Sequence, residues 1–293
     1  MNQHHPNASS SLTTWLKFIQ NRYPPQITLG LDRIRKVAKK FNLLQPAPII
    51  FTVGETNGKV TTCRAMEMIL LAADYRTGLY TSLHLLRYTE RIRIQGHELE
   101  EEAYTLAFSV IEASCNNLSI SWFEFTTLVA LYLFTQFTLD VVILEVGLGG
   151  RLDATNIIDS DISVITSIGL DHTTLLGTDI VSIAREKAVI FRSHKPAIIG
   201  ELNSSINILT KESYKSQAVL YIVNYHWIYI KNTNKWIFYD DKDCSIDIPF
   251  PKIPVENAAT VIAALRSSSL QISKKIILSS LPPISLAGIF SNY

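Results

Sequence analysis

Glycine, lysine and threonine are gathered in one stretch, Thr52-Val-Gly-Glu-Thr-Asn-Gly-Lys-Val-Thr-Thr62. An apolar run, Pro48-Ile-Ile-Phe-Thr-Val53, leads into it, and a helical pattern starting near Thr61 leaves it. Strand, tight loop and helix in that order present backbone N–H groups and a helix N-terminus to a phosphate. In such a loop Lys59 neutralises phosphate charge and the Thr61 hydroxyl reaches Mg²⁺. The competing reading is an ordinary turn, because Gly-Lys-x-Thr alone is a short signal. Glu145 ends the apolar stretch Leu139-Asp-Val-Val-Ile-Leu-Glu145 and precedes Val-Gly-Leu-Gly-Gly-Arg151-Leu-Asp153. A carboxylate at the end of a buried strand suits Mg²⁺, directly or through water, and the glycines admit a ligand close to the backbone. The alternative is a capping or salt-bridged glutamate. Asp171-His172-Thr173 follows Ile168-Gly-Leu170; histidine beside aspartate can bind metal or relay protons, or be a satisfied structural histidine. Lys187, in Arg185-Glu-Lys187-Ala, would by itself be a snorkelling or paired lysine.

The elements that must position these groups alternate. The pattern predicts amphipathic helices over 10–20 and 30–41, the second with a basic, solvated outer face. A buried strand follows over 46–53, then a helix over 61–73 and a strand over 77–81. Arg91-Ile-Arg-Ile94 alternates charge and isoleucine, which predicts an exposed hairpin strand with its turn at Gln95-Gly-His-Glu. Helices over 100–114 and 121–137 precede the central strand 139–145, strand 162–166, a helix over 179–189 and strand 197–200. Strands alternating with helices imply an α/β fold: a doubly wound, mostly parallel sheet with helices on both faces and ligands beyond the carboxyl ends of the strands. After Glu201 the short strands 220–223, 227–230 and 236–239 predict a small antiparallel appendage within 201–255. A helix over 256–266 follows, and another after Ser273.

With 293 residues, 47% hydrophobic and 18% charged, the chain can bury a large core. A net charge of +1 offers no electrostatic case for nucleic acid or an anionic membrane. Cys63, Cys115 and Cys244 are odd in number and far apart, which fits reduced thiols in a cytoplasmic protein. Leu128–Phe134 is apolar but too short to span a bilayer and predicts a buried helix.

Five segments occur in order at compatible spacing: Thr56-Asn-Gly-Lys59, Ser82-x-His84-Leu-x-Arg-Tyr-Thr-Glu-Arg91, Ile143-Leu-Glu-Val-Gly-Leu-Gly-Gly-Arg-Leu-Asp-Ala-Thr-Asn156, Leu170-Asp-His-Thr173 and Arg185-Glu-Lys-Ala188. Together they resemble the bifunctional dihydrofolate synthase/folylpolyglutamate synthase family of the Mur-ligase superfamily, in its enterobacterial type. The resemblance implies a cytoplasmic, monomeric ATP-dependent amide ligase with dihydropteroate or folate, L-glutamate and ATP as partners. By resemblance Thr56, Asn57, Gly58, Lys59, Thr61 and Asn257 bind ATP, Ser82 and Glu145 hold one Mg²⁺, and His172 helps to hold a second. Lys187 matches a position that is carbamylated in the family; with His172 and Lys59 it completes the implied catalytic set. The pterin side would use Ile27, Thr28, Leu29, Ser121, Trp122, Phe123, Glu124, Leu152, Asp153 and Ala154. There Phe123 would stack on the ring and Asp153 would bond its polar edge.

The chain departs from the family pattern where Glu55 and Val60 replace two loop glycines, Leu83 replaces a proline, and Ile289 replaces an arginine. Strain at a glycine-only conformation, and a carboxylate near phosphate, predict weakened ATP affinity. The family pattern continues into a C-terminal α/β domain that closes the cleft. Residues 1–293 therefore match the N-terminal ATPase domain, with the C-terminal ligase domain absent. The alternatives are a degenerate, non-catalytic remnant that retains pterin or nucleotide binding, and a different P-loop enzyme such as a small NTPase.

Overall fold

The structure is a computed structural model that describes residues 5–23, 30–54, 58–115, 118–170, 177–241 and 245–284. Its centre is a run of parallel strands with almost no polar side chains. Strands β1 (Ile49–Gly54) and β5 (Val141–Glu145) pair in parallel, with Val53 opposite Glu145. On the other side of β1 lies β6 (Ile162–Ile165), with Val53 opposite Val164. Strands covered on both faces need no alternation, which is why these read as unbroken apolar runs.

Strand β2 (Thr77–Tyr80) pairs in parallel with β5, and β7 (Pro196–Ile199) extends the sheet beyond β6. With β3 (Ile92–Ile94), β4 (His97–Glu98) and β8 (Val219–Ile222) the order is β4-β3-β2-β5-β1-β6-β7-β8. The chain leaves β1 to build one half of the sheet and returns through β6 to build the other. The carboxyl end of β1 is thus a switch point, where the connecting segments diverge and leave a crevice.

Helices α1 (Leu12–Arg22), α2 (Asp32–Lys40), α4 (Glu101–Cys115) and α5 (Trp122–Thr135) share a core with Ile50, Val142 and Leu144 on one face. The Leu128–Phe134 stretch lies within α5, largely buried there. Helices α6 (Ile180–Ala188) and α7 (Ile206–Ser216) continue that face over Ile165, Ala197 and Ile199. The opposite face, bearing Phe51, Val53, Ile143 and Val164, is covered by α3 (Lys59–Ala72), α8 (Val255–Arg266) and α9 (Lys274–Ser280). A second sheet of β9 (Trp227–Lys231), β10 (Lys235–Asp240) and β11 (Ser245–Pro249) packs Trp236 and Phe238 into the same core. No helix of the described residues is long and apolar enough to cross a membrane.

Two expectations are corrected. The segment expected as the first strand of the antiparallel appendage, 220–223, instead supplies β8, a parallel edge strand of the large sheet paired with β7. The Arg91–Ile94 segment is not exposed: Ile92 and Ile94 enter the core, Arg91 is buried, and β3 pairs antiparallel with β2. Alternating charge signals an exposed face only when nothing else packs on the charged side.

Candidate active site

The carboxyl ends of β1, β2, β5 and β6 lie side by side, so the segments that follow them share one edge. Ser82, just beyond β2, reaches Glu145 at the end of β5. Its backbone N–H donates to Glu145 Oε2 at 3.1 Å and its hydroxyl to Oε1 at 2.7 Å. Glu145 is fully buried. Burial pushes its carboxyl above the usual range, against the Ser82 donors and the positive charge of Lys59. A hydroxyl and a buried carboxylate in contact are hard oxygen donors, the type Mg²⁺ selects; a few such ligands suffice when phosphates and waters complete the shell. Among the described residues no group of three His, Cys, Asp or Glu side chains converges as a metal cage.

Beside this pair, Gly58 caps α3 with φ +92°, a left-handed conformation that L side chains resist. Lys59 and Val60 open the helix and Thr61 is buried in its first turn. Val60 is absent from the positive-φ residues, so it carries no backbone strain. The expected glycine-only cost therefore does not apply there. Asn257, in the first turn of α8, donates to Thr62 Oγ1 at 3.0 Å and approaches the Gly58 carbonyl at 3.5 Å. The start of α3 is thereby tied to α8. A cavity of about 470 Å³ adjoins Asn257, lined among others by Thr166 beyond β6, Glu201 beyond β7, and Tyr229.

The glycine-rich segment after β5 folds around Asp153. Its Oδ2 accepts from the N–H groups of Gly147 (2.8 Å) and Leu148 (2.9 Å), and Oδ1 from the N–H (2.9 Å) and hydroxyl (2.6 Å) of Thr155. Those four donors occupy the roughly four acceptor sites of a carboxylate. Burial nonetheless holds its pKa above the usual value. Gly147 has a steric reason: a Cβ there would lie 2.6 Å from Phe123 Cζ. Phe123 is half-buried, its ring stacked on Tyr80 at 6.2 Å. A Cβ at Gly150 would lie 2.4 Å from the Glu186 carbonyl, and Arg151 pairs with Glu186 at 3.0 Å. The last turn of α6, with buried Lys187, is thereby seated against this loop.

Ser121 and Glu124 form a capping box at the start of α5. Glu124 N–H donates to the Ser121 hydroxyl at 3.2 Å and Ser121 N–H to Glu124 Oε2 at 2.6 Å, while Arg33 meets Oε1 at 3.3 Å. The Ser-x-x-Glu spacing carries that signal in the sequence. Trp122 is half-buried, as is Leu152, and Ala154 is buried. Ile27, Thr28, Leu29, Glu55, Thr56, Asn57, His172 with its neighbours Asp171 and Thr173, Cys244 and Ile289 lie outside the described residues. The structure thus brings together Lys59, Ser82, Glu145, Asp153 and Phe123 around one crevice. Reading the sequence missed the capping box, the Asp153 collar, the aromatic contacts of Arg91 and the Glu201–Tyr229 cavity.

The chain is 50% identical over 285 residues to the dihydrofolate synthase/folylpolyglutamate synthase of Escherichia coli (strain K12), covering 97% of this chain and 67% of that protein. It is 47% identical over 291 residues to the protein of the same name from Haemophilus influenzae, covering 99% and 66%. The structure of E. coli FolC in complex with DHPP and ADP matches with a TM-score of 0.93 at 48% identity, over 97% of this chain and 68% of that one. A bifunctional folylpolyglutamate synthase/dihydrofolate synthase with Mn, AMPPNP and L-glutamate bound matches with a TM-score of 0.90 at 48% identity, over 97% and 69%. No family model matches the chain. The chain spans about two thirds of the length of these relatives. With that identity sustained along nearly all of it, and the Gly58-capped start of α3, the Ser82–Glu145 pair and the Asp153 collar at one sheet edge, the chain belongs to the dihydrofolate synthase/folylpolyglutamate synthase family.

Proposed function

We propose that residues 1–293 are the N-terminal ATPase domain of a cytoplasmic ligase. Its reaction joins L-glutamate to dihydropteroate, to the γ-carboxylate of a folate, or to both, through an acyl phosphate. The observation that carries this reading is the Ser82–Glu145 pair, set beside the β1–α3 junction at the switch point of the sheet. A substrate carboxylate oxygen attacks the γ-phosphorus of ATP and ADP leaves. The glutamate amine then attacks the acyl carbon, releasing phosphate and a proton. Lys59 and the first turn of α3 stabilise charge on the transferring phosphoryl group. Ser82 and Glu145 are the residues that would hold one Mg²⁺, and His172 would help to hold a second; the metal would supply neutralisation of phosphate charge. Thr56, Asn57, Gly58, Thr61 and Asn257 complete the nucleotide site, and Asn257 places the cavity beside it within reach of the nucleotide's base.

The pterin lies against Phe123, with Trp122, Leu152, Ala154 and Ile27–Leu29 around it. The capping box of Ser121 and Glu124 and the Asp153 collar support a second role for these three residues, as supports that fix the pocket. Lys187 is buried in a helix seated on the Glu145 loop, and a buried ammonium is costly unless it is paired or modified. Deprotonation of Lys187 Nζ and its addition to CO₂, with release of a second proton, would give a carbamate and turn the cation into an anion able to support metal. Calorimetric titration of the purified chain with Mg·AMPPNP and with dihydropteroate tests the reading, which predicts saturable binding of each. Glutamate-dependent ADP release would establish the complete reaction. Absence of binding by both probes would overturn the proposal. Binding without turnover would leave the degenerate-remnant reading standing.

A further inference from the structure

His84 and Arg91 are not used by the reading above. Arg91 sits directly beside the site: its carbonyl accepts from Thr81 N–H at 2.8 Å, one residue before Ser82. Arg91 is 6% exposed, and its guanidinium lies 4.8 Å from the Trp122 ring centroid and 5.7 Å from that of Tyr88. Nη1 is buried with no hydrogen-bond partner among the described residues. Among the described residues the polar partner of this cation is a histidine: Arg91 Nε donates to His84 Nδ1 at 2.8 Å.

That bond fixes the chemistry of the ring. Guanidinium has no acceptor, so Nδ1 must be the acceptor and the neutral ring carries its proton on Nε2. His84 is itself exposed, on the segment that leaves the carboxyl end of β2 two residues after Ser82. The segment is preformed, because Glu90 accepts from the N–H groups of Leu85 (2.7 Å), Leu86 (3.1 Å) and Arg87 (2.8 Å). The result is an exposed N–H donor two residues along the chain from Ser82, backed by a buried positive charge on its far side. An apolar or cationic ligand gains nothing from that arrangement, whereas an anionic oxygen gains a charge-assisted bond.

We propose that His84 donates from Nε2 to an anionic oxygen of the bound reactants, and that Arg91 is the positioning residue that holds the tautomer and supplies the charge. This rests on the ligase reading, which places two such oxygens in the crevice: those of the pterin carboxylate and those of the γ-phosphate. The two sources are separated by titrating dihydropteroate and Mg·AMPPNP individually while following the His84 ring nitrogens by ¹⁵N correlation spectroscopy. The wild type is expected to show the Nε2–H tautomer, and one probe to shift that resonance. His84→Ala weakens the same probe about tenfold and leaves the other unchanged, while His84→Gln, which keeps a donor, recovers part of the loss. Arg91→Met releases the ring to a tautomer mixture and weakens the same probe; Arg91→Lys, with charge but no planar fork, falls between. An Nδ1–H tautomer in the wild type overturns the inference. So does binding of both probes that is unchanged in His84→Ala, and in that case the ligase reading stands. Failure of both probes to bind the wild type overturns the two together.

Discussion

Asp153 divides two views of the segment after β5. Either its carboxylate faces a ligand, or it builds the pocket in which a ligand sits. Four donors converge on it, three of them backbone N–H groups that no strand or helix ladder satisfies. Asp153→Asn keeps the shape and replaces one oxygen with an amide nitrogen. With the amide nitrogen toward Gly147 and Leu148, two N–H donors lose their acceptor; with it toward Thr155, whose hydroxyl can turn to accept, only the Thr155 N–H does, so that orientation is favoured. The lost bond is to a charged acceptor, worth about 1.5–3 kcal/mol, so the expected loss of stability is about 1.5–3 kcal/mol. Domains are stable by about 5–15 kcal/mol in all, so this is a large fraction. With a denaturant slope of about 3 kcal/mol per molar, the urea midpoint should fall by about 0.5–1 M with the slope unchanged. Unfolding followed by tryptophan fluorescence reads the shift, and dihydropteroate binding is measured on the same variant below its transition. A variant with the wild-type midpoint that has lost pterin binding would refute the pocket-building argument and put the carboxylate on the ligand.

Two further outcomes follow from the same geometry. Gly147→Ala places a Cβ 2.6 Å from Phe123 Cζ and 3.1 Å from Asp153 Oδ2, so the ring must move. It should cost about 1–3 kcal/mol in thermal or urea unfolding and weaken dihydropteroate more than Mg·AMPPNP; equal weakening of the two would show that Phe123 is no pterin platform. Glu90 supplies a pH-dependent outcome. Burial raises its carboxyl pKa, but the three backbone donors outweigh burial and leave it below the usual value. A depressed carboxylate contributes stability above its unfolded pKa and loses that contribution as pH falls through its folded one. The difference in melting temperature between the wild type and Glu90→Gln should therefore be present at about pH 6 and vanish below about pH 3; a constant difference would contradict the assignment.

What the sequence made legible follows what kind of contact each feature depends on. The parallel strands read out because burial on both faces leaves nothing polar in Val141–Leu144 or Ile162–Ile165 except Ser163, whose hydroxyl donates to the Ile190 carbonyl at 2.7 Å. Strand β8 was legible as a strand but not as a member of the large sheet, since Leu220, Tyr221 and Ile222 are only half-buried and edge positions carry no partner signal. Helix α7 has Leu209 and Ser213 as its buried residues, too few for a 3.6-residue stripe, and so left no clear helical period. Arg91 was misread because a cation packed under Trp122 and one facing water look the same in an alternating pattern. At the site, residue types survived inspection better than roles. The resemblance assigned Ser121, Glu124 and Asp153 to the pterin side, and the structure shows that each carries a local hydrogen-bonding task.

The two departures in the phosphate-type loop now separate physically. Val60 lies in α3 with ordinary helical backbone, so the roughly 1–3 kcal/mol charged to a residue in a glycine-only conformation falls away. What Val60 adds is a half-buried, β-branched side chain in the first helical turn, behind a Gly58 that still supplies the left-handed cap. Glu55 lies outside the described residues, so both parts of its expected cost, backbone strain and charge, stand as read from the sequence. A carboxylate about 4 Å from a phosphate oxygen repels it by about 4 kcal/mol at an effective dielectric near 20, nearly three decades in affinity. Lys59 carries the opposing charge, and its influence reaches Glu145, so it is already shared between the loop and the buried carboxylate. A bound Mg²⁺ at Ser82 and Glu145 would relieve Lys59 of that second task, leaving more of its charge for the phosphate. Nucleotide affinity in this chain should therefore depend on the metal more steeply than a loop without Glu55 would require.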